Sequence, residues 1–305
     1  MALQTEIKSK GLQYLSFVDF DEKDSAFLKK TFKFHELDLE DCASEQERPK
    51  IDEYDDYIFI VLQIPRYDKR HEVVDVSEVN LFVGMDYLVL SHDDDINWLK
   101  NFETALKTRE GREDYLSLGT GYLLYKIIEG LFESRYRVLD HLNRQMRVLE
   151  KEIFTTHEMK DRLKDIMRLK KSIITFRRTI APQRSVISQL EHKNKKFLKN
   201  DLEVYFDDVV DAVERIWQTL ELMKETVDTL ESTNENLISH YTSDTMRLLT
   251  IISVVMLPLT FITSMYGMNI GLPFDDDPHA FTLVVGGMLS LSITMLLIFR
   301  YKRWL

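Results

Sequence analysis

Seven side chains near the C-terminus recur at steps of three and four residues, which places them on one face of an α-helix. They are Ser243, Met246, Thr250, Ser253, Leu257, Thr260 and Ser264, and we call them the hydroxyl stripe. Small and hydroxyl-bearing residues serve as close contacts between membrane helices, so helix packing is one interpretation of the stripe. The other is that several copies of the helix surround an axis and that the stripe lines a pore for ions.

Most of the hydroxyl stripe lies in a segment that is long and apolar enough to cross a bilayer. The residues 248–266 carry no charge, and as a helix they reach about 28 Å. A second uncharged run covers 280–299. The sequence therefore predicts a two-span membrane hairpin. Because two spans cannot enclose a pore, a pore requires an oligomer.

The charges around the two spans predict their orientation. Arg247 precedes the first span and the basic segment 300–305 follows the second, whereas the loop 267–279 has neither Lys nor Arg. By the positive-inside rule both termini face the cytoplasm. We therefore expect a multi-pass protein of the inner (plasma) membrane, whose external loop carries three aspartates: Asp275, Asp276 and Asp277.

The composition of the remaining chain bounds what it can do. The net charge is −11, and residues 1–115 hold 15 Lys and Arg against 27 Asp and Glu, which argues against nucleic acid as a partner. The N-terminus lacks the apolar stretch of a secretory signal, so we expect a cytoplasmic body. The single cysteine, Cys42, argues against disulfides and thiolate metal clusters. No motif of a known enzyme class is found, so an enzyme is not expected.

The predicted elements give an α+β fold. Strand patterns at 12–20, 56–65, 72–83 and 85–91, with a helix at 21–33, predict a cytoplasmic α/β domain over 1–115, with a boundary near 108–114. The region 116–200 has helical periodicity only. We predict breaks in it near 154–157 and at Pro182 or 194–200.

A long stalk helix is predicted over 201–247, and it continues into the first span. No Pro or Gly occurs between Asp201 and Leu257, and eleven positions, all apolar or aromatic except one Asn, alternate at steps of three and four. They are Phe206, Val209, Val213, Ile216, Leu220, Met223, Val227, Leu230, Asn234, Leu237 and Tyr241. The alternative is an ordinary amphipathic helix that ends near 232–236.

A polar face of the same helix begins at Asp208 and Asp211 and reaches Ser243. If the helices supercoil, this face lines a funnel that leads to the hydroxyl stripe. A solvated helix face is the more common explanation of such a pattern. The three aspartates at 93–95 are ligands of the kind that hard cations prefer, although such a run also caps helices.

The residues that flank the two predicted spans match a known pattern. Tyr266, Gly267, Met268 and Asn269 directly follow the first apolar helix, which contains Pro258, and the chain ends in the sequence KRWL. In this arrangement the chain resembles the CorA family of divalent-cation channels. The segment 48–57, RPKIDEYDDY, also resembles the N-terminal domain of that family, so the resemblance covers nearly the whole chain.

The resemblance implies a homopentamer in the lipid bilayer that conducts Mg²⁺ inward, with Co²⁺ and Ni²⁺ as lesser substrates and no organic cofactor. It places the selectivity filter at the external mouth, at Tyr266, Gly267, Met268 and Asn269. Oxygens of amides and carbonyls suit Mg²⁺ because they can contact the ion without removing its tightly held water. The resemblance also implies these pore-facing positions: Ser243, Met246, Leu249, Leu257 and Thr260. Family members commonly carry Asn at the position of Ser243, which is a departure in this chain.

The resemblance further implies regulation by intracellular Mg²⁺. Asp208 and Asp211 correspond to aspartates at which neighbouring subunits meet, where a divalent ion between carboxylates holds the closed assembly together. Their expected partners on the adjacent subunit are three: Asp93, Asp94 and Asp95. The alternative is that Asp208 and Asp211 solvate a helix face or pair with Arg215.

Two other functions remain compatible with the sequence. One is zinc transport on the same scaffold, although related zinc carriers tend to replace the Met of the filter motif, so Met268 favours magnesium. The other is a membrane-anchored coiled-coil sensor that conducts nothing, in which the hydroxyl stripe is a packing surface.

Overall fold

The N-terminal part of the chain builds one mixed β-sheet. The fold is described from a computed structural model over residues 3–44, 47–93, 96–153, 159–193, 203–268 and 279–304. Within these residues the sheet order is β1-β2-β6-β5-β4-β3, and only the β2–β6 pair is parallel. The strands are β1 (Leu3–Ser9), β2 (Leu12–Val18), β3 (Lys50–Glu53), β4 (Tyr57–Asp68), β5 (Val73–Gly84) and β6 (Tyr87–His92).

Helices cover both faces of the sheet, which is why β4 and β5 are apolar on both sides. The helices are α1 (Glu22–Phe32), α2 (Glu36–Ala43), α3 (Asn97–Leu106), α4 (Arg109–Leu116), α5 (Thr120–Glu152), α6 (Met159–Lys193), α7 (Glu203–Tyr266) and α8 (Ala280–Tyr301). On one face α1 and α2 pack against Phe59, Val61 and Phe82. On the other, α5 and α6 contact β4 and β5. The predicted fold class, an α/β domain followed by helices, is confirmed.

The structure differs from the sequence prediction at two places. In the segment 108–114, where a boundary was predicted, Thr108 caps α4 with its side chain, and α4 packs between α3 and α5. Pro182 does not interrupt α6, although it lacks the N–H that would bond the carbonyl of Arg178. Buried residues on either side, such as Ile180 and Ile187, hold α6 on the sheet and offset that loss. The predicted breaks at 154–157 and 194–200 lie outside the described residues.

The long helix is confirmed, and the shorter alternative that ends near 232–236 is wrong, because α7 continues to Tyr266. Nine of the eleven predicted core positions are buried, from Phe206 to Asn234, while Leu237 is half-buried and Tyr241 is exposed. Ion pairs fasten α7 to α6: Arg184 Nη2 lies 2.6 Å from Glu214 Oε2, and Lys170 Nζ lies 2.9 Å from Asp228 Oδ1.

The chain divides into two compact units, Met1–Glu231 and Ser232–Leu305, and the boundary falls within α7. The first unit contains the sheet, α1 to α6 and the first part of α7. The second contains the remainder of α7 and α8. Among the residues that the structure describes, two helices are long and apolar enough to cross a membrane, one within Glu203–Tyr266 and the other at Phe281–Tyr301.

Candidate cation pathway

The hydroxyl stripe forms one exposed face of α7 in the second unit. All seven of its residues are exposed, as is Leu249 beside them. The buried and half-buried residues of the same segment lie on the other side of the helix: Ile251, Val255, Pro258, Leu259, Ile262 and Tyr266. At 100° per residue the centres of the two sets are about 190° apart. The stripe therefore points away from the side on which this part of α7 is packed.

A matching pattern occurs on α8. Its half-buried residues recur at helical spacing and are Val284, Met288, Leu291, Ser292, Met295 and Phe299. One partly buried face on each of the two membrane-length helices is expected if α7 and α8 pack against each other along these faces. The hydroxyl stripe takes no part in such a contact, so helix packing within one chain does not account for it.

Three hydroxyls of the stripe donate to the carbonyl one turn earlier. Thr250 Oγ1 lies 2.8 Å from Met246 O, Ser253 Oγ lies 2.9 Å from Leu249 O, and Thr260 Oγ1 lies 2.9 Å from Met256 O. This is the usual way for Ser and Thr to satisfy their donor within a helix. The oxygen lone pairs then stay available on the exposed side, where they can accept hydrogen bonds from the water around an ion.

The filter motif begins where α7 ends. Gly267 N donates to Thr263 O and Ser264 O at 3.0 and 3.2 Å, and Met268 N donates to Met265 O at 3.3 Å, so the helical hydrogen bonding closes at this point. Gly267 does not have a positive φ. A Cβ at this position would lie 3.3 Å from Thr263 O, which is a tight contact. Asn269 and the external aspartates Asp275, Asp276 and Asp277 lie outside the described residues.

The C-terminal end of α8 is closed by a turn that fixes the basic tail. Arg303 has φ +58°, and Trp304 N donates to Phe299 O at 2.9 Å, which is the pattern of a Schellman motif. The rings of Phe299 and Trp304 stack with centroids 5.8 Å apart. At the start of the apolar part of α7, Arg247 pairs with Asp244 at 2.6 Å. Basic residues therefore flank both apolar helices on the side that the sequence assigns to the cytoplasm.

The predicted regulatory aspartates are exposed in the first unit. Asp208 and Asp211 lie on the exposed face of α7, which continues through Arg215, Gln218, Leu222, Glu225 and Thr229. Asp93 is exposed as well, and its carboxylate accepts a hydrogen bond from Glu78 N at 2.9 Å. The residue that caps α3 is Ile96, which makes no side-chain capping bond. Asp94 and Asp95 lie outside the described residues.

Among the described residues, no three His, Cys, Asp or Glu side chains lie close enough together to hold a metal ion. The aspartates Asp208, Asp211 and Asp93 thus do not form a three-ligand site within one chain.

One group near Asp208 was not anticipated from the sequence. Burial, a hydrogen bond to Glu129 and the negative charges of Glu129 and Asp208 all raise the pKa of Tyr125. Lys126 Nζ lies 2.7 Å from Glu129 Oε2 and 4.9 Å from the ring centre of Tyr125. These residues belong to α5, and the ring of Tyr125 contacts Tyr205 and Phe206 in the first turn of α7, close enough for the charge of the exposed Asp208 to act on it. The sequence signal was present as YKIIE in an otherwise apolar helix face.

Comparisons with known proteins agree with this arrangement. The family profile described as CorA-like Mg²⁺ transporter protein matches residues 9–303. The cobalt/magnesium transport protein CorA of Thermotoga maritima is 28% identical over 285 residues, which cover 90% of this chain and 78% of that protein. The zinc transport protein ZntB of Yersinia pseudotuberculosis is 22% identical over 291 residues, which cover 94% of this chain and 86% of that protein.

A solved structure shares the fold. The CorA magnesium transporter from Methanocaldococcus jannaschii superposes with a TM-score of 0.85 at 22% identity, covering 99% of this chain and 95% of that chain. The profile match extends over both compact units and both membrane-length helices. The chain therefore belongs to the CorA family, a family of membrane transporters for divalent cations and not of enzymes.

Proposed function

We propose that this chain is the subunit of a homo-oligomeric channel, a pentamer by resemblance to its family, that admits Mg²⁺ to the cytoplasm, with Co²⁺ and Ni²⁺ as lesser substrates. The observation that carries the proposal is the position of the hydroxyl stripe on α7, exposed and opposite the packed side of the helix. Copies of α7 arranged around an axis would present Ser243, Thr250, Ser253, Thr260 and Ser264 to the ion path. Transport is passive, down the electrochemical gradient.

In this proposal the filter is the ring of Tyr266, Gly267, Met268 and Asn269 at the external mouth. Mg²⁺ gives up water reluctantly, so neutral oxygens that contact its hydration shell bind it weakly enough for release. Asn269 supplies an amide oxygen and Gly267 a backbone carbonyl.

The closed state of the pore is a ring of apolar side chains. Met246, Leu249 and Leu257 are 58%, 57% and 72% exposed in the single chain, on the same side of α7 as the hydroxyls. Around an axis they would form a constriction that resists wetting. Ser243, which replaces the Asn common in the family, leaves the cytoplasmic end of the pore without an amide.

We place the control of this pore between subunits. Asp208 and Asp211 are exposed, and the acidic segment of Asp93, Asp94 and Asp95 belongs to the α/β domain that would adjoin them. A Mg²⁺ ion between carboxylates of two chains turns their repulsion into attraction, and loss of internal Mg²⁺ would release the pore.

The proposal includes a topology. The cytoplasmic body comprises the α/β domain 1–115, the helical region 116–200 and the stalk 201–247. The spans are 248–266 and 280–299 in the inner membrane. The loop 267–279, with Asp275, Asp276 and Asp277, is external, and the tail 300–305 is cytoplasmic because basic segments stay inside.

Flux into liposomes tests the proposal. Protein reconstituted into vesicles that contain a Mg²⁺ indicator should pass Mg²⁺ faster than Zn²⁺. A preference for Zn²⁺ would favour the alternative suggested by the relative named zinc transport protein ZntB. Absence of flux for both ions would favour the remaining alternative, a membrane-anchored protein that conducts no ions. Native mass measurement checks the assembly, because monomers or dimers place too few helices around an axis.

The filter and the regulatory site are tested separately. Asn269→Ala should abolish Mg²⁺ flux while the oligomer remains assembled. Normal Mg²⁺ uptake by this variant would show that Asn269 is not part of the filter. For regulation, Mg²⁺ should protect the native protein from limited proteolysis at lower concentrations than it protects Asp208→Ala. Asp207→Ala, at the exposed neighbouring position, is the control. Identical Mg²⁺ dependence of Asp208→Ala and the native chain would exclude Asp208 as a ligand.

A further inference from the structure

A groove in the first unit lies at the edge of the sheet. Its volume is about 440 Å³, and it lies between the start of β3, the outer side of β4 and the helix α6. Residues lining it include Arg48, Gln63, Val76, Thr175, Arg178 and Thr179. Volumes of this size are typical of small-molecule pockets.

The groove exists because β3 is shorter than β4. The first paired residue of β3, Lys50, lies opposite Val61, so beyond that point β4 pairs only with β5 and its other side has no strand among the described residues. The outward carbonyl of Gln63 is therefore satisfied by side chains: Arg135 Nη2 at 3.0 Å and Gln183 Nε2 at 2.8 Å. Pro65, which lacks an N–H, is tolerated at the same edge.

The groove is positively charged in a chain whose net charge is −11. Arg48 and Arg178 are both exposed, and neither makes an ion pair or hydrogen bond among the described residues. No acidic residue is found among the described residues that line the groove. Two guanidinium groups that share one groove repel each other, and an anion between them would remove the repulsion.

Three other cationic side chains of α6 pair with carboxylates of α7, which Arg178 does not among the described residues. Arg177 pairs with Glu221, Arg184 pairs with Glu214, and Lys170 pairs with Asp228 and Glu231. These carboxylates all belong to α7, on the other side of α6 from the groove. Arg178 points away from them, toward Thr175, Thr179 and Gln63.

A third arginine lies directly behind the wall of the groove. Arg135 is 0% exposed, and its guanidinium bonds only neutral oxygens, those of Gln63 and Gln183. Its Nε and Nη1 have no hydrogen-bond partner among the described residues. A buried cation without a carboxylate is costly, and an anion held one residue away would lower that cost.

We propose that this groove binds a phosphate-bearing anion, with Arg48 and Arg178 contacting the phosphate oxygens and the hydroxyl of Thr175 as a further hydrogen-bonding partner. Guanidinium groups match the geometry of phosphate and bind it in a forked manner. The ligand is either free phosphate or a small phosphorylated metabolite, and the volume of the groove has room for the latter. The site is independent of the proposed transport function.

Calorimetric titration of the full-length protein in detergent tests the site, in Mg²⁺-free buffer so that the metal does not bind the probes. The probes are inorganic phosphate, adenosine 5′-monophosphate and adenosine. Both phosphates should bind and adenosine should not. Tighter binding of the nucleotide assigns the site to phosphorylated metabolites, and equal affinity assigns it to free phosphate.

Three variants show where the anion binds. Arg48→Gln and Arg178→Gln should each weaken phosphate binding by about tenfold or more, because each removes one charged fork. The matched control is Arg137→Gln, an exposed arginine of α5 outside the groove, which should change the affinity less than about twofold. Circular dichroism and gel filtration verify that each variant is folded.

The proposal is overturned by any of three results. One is no binding of either phosphate up to about 10 mM. Another is unchanged affinity in both Arg48→Gln and Arg178→Gln. The last is an equal loss of affinity in Arg137→Gln, which would show attraction to the overall charge and not to the groove. Liposome flux in the absence of phosphate is expected to be the same in all variants.

Discussion

Replacing Asn234 by leucine should stabilise the protein, because this amide is buried without compensation. Asn234 is 0% exposed on α7, and neither its Nδ2 nor its Oδ1 has a hydrogen-bond partner among the described residues. A buried polar group in that situation costs about 1–3 kcal/mol. Leucine has the same branching at Cγ and would add roughly 1 kcal/mol of apolar burial, less any cost of its larger volume.

We therefore expect Asn234→Leu to raise the free energy of unfolding by about 2 kcal/mol, equivalent to a rise of several degrees in Tm. The assay is thermal unfolding of the detergent-solubilised protein, followed by tryptophan fluorescence at two scan rates. Asn236→Leu is the matched control, since Asn236 is exposed two residues further along the same helix and should change stability by less than about 0.5 kcal/mol.

A loss of stability in Asn234→Leu would refute the reasoning, because it would mean that the amide is hydrogen-bonded in the assembled protein. Equal gains in both variants would also refute it, since they would reflect helix propensity and not burial. A gain confined to Asn234 would show that the chain gives up stability in the long helix between the body and the membrane part, as proteins do where function requires it.

Three further predictions concern packing, the α6–α7 contact and the pore. Gly130→Ala should lower the free energy of unfolding by about 1–3 kcal/mol, because a Cβ there would lie 1.8 Å from Trp98 Cζ2. When Trp98 is also replaced by Leu, the thermal assay should show that most of this loss of stability has disappeared. Lys170→Met should cost about 1 kcal/mol at neutral pH, whereas Lys171→Met, at an exposed position, should not. Hydrogen bonds from Lys170 and Lys224 lower the pKa of Asp228. The ion pair therefore stabilises the fold fully above the usual Asp pKa. The difference in the free energy of unfolding between Lys170→Met and the native chain should shrink as the pH falls through the lowered pKa of Asp228. Ser253→Leu should reduce Mg²⁺ flux by narrowing the proposed pore. Ser290→Leu makes the same change on an exposed face of α8 and should leave flux within about twofold of the native value. Equal effects of the two changes would show that the hydroxyl stripe has no specific role in conduction.

Periodicity made the helical part of this fold predictable. The predicted core positions of α7 are buried from Phe206 to Asn234 at the spacing that the sequence shows. An amphipathic helix buries its apolar face against the rest of the protein, so the spacing alone identifies the buried side. The strands β4, β5 and β6 were found through their runs of Val, Ile, Leu and Phe. Asp21 was recognisable as a helix start, and its side chain accepts bonds from Lys23 N and Asp24 N.

Other parts depended on contacts that a local pattern does not contain. The strand β1 was missed because its residues, such as Gln4 and Lys8, are polar on the exposed side, and its pairing with β2 is what makes it a strand. Pro182 was one of two predicted places for a break, the other being 194–200, because the cost of a proline is local, while the packing that offsets it comes from the sheet. The groove between Arg48 and Arg178 joins residues 130 positions apart, and no spacing rule brings them together.

For the candidate site, the sequence predicted the face but not its hydrogen bonding. That Ser253, Thr250 and Thr260 share a side of α7 follows from spacing alone. Which atoms those side chains leave free does not, since it depends on the rotamers that direct each hydroxyl to its own backbone. The regulatory role proposed for Asp208 requires a second copy of the chain.

The direction of those hydroxyls has a consequence for the sign of the ion that can pass. With each proton held by a backbone carbonyl, a wall made from this face of α7 offers oxygen acceptors and few donors. Water around a cation points its hydrogens outward and would find partners on such a wall, whereas the water around chloride points its oxygens outward and would find few. In the proposed pore, anions would then be disfavoured along this face of α7 in addition to any selection at the filter, although the hydroxyl stripe contains no carboxylate.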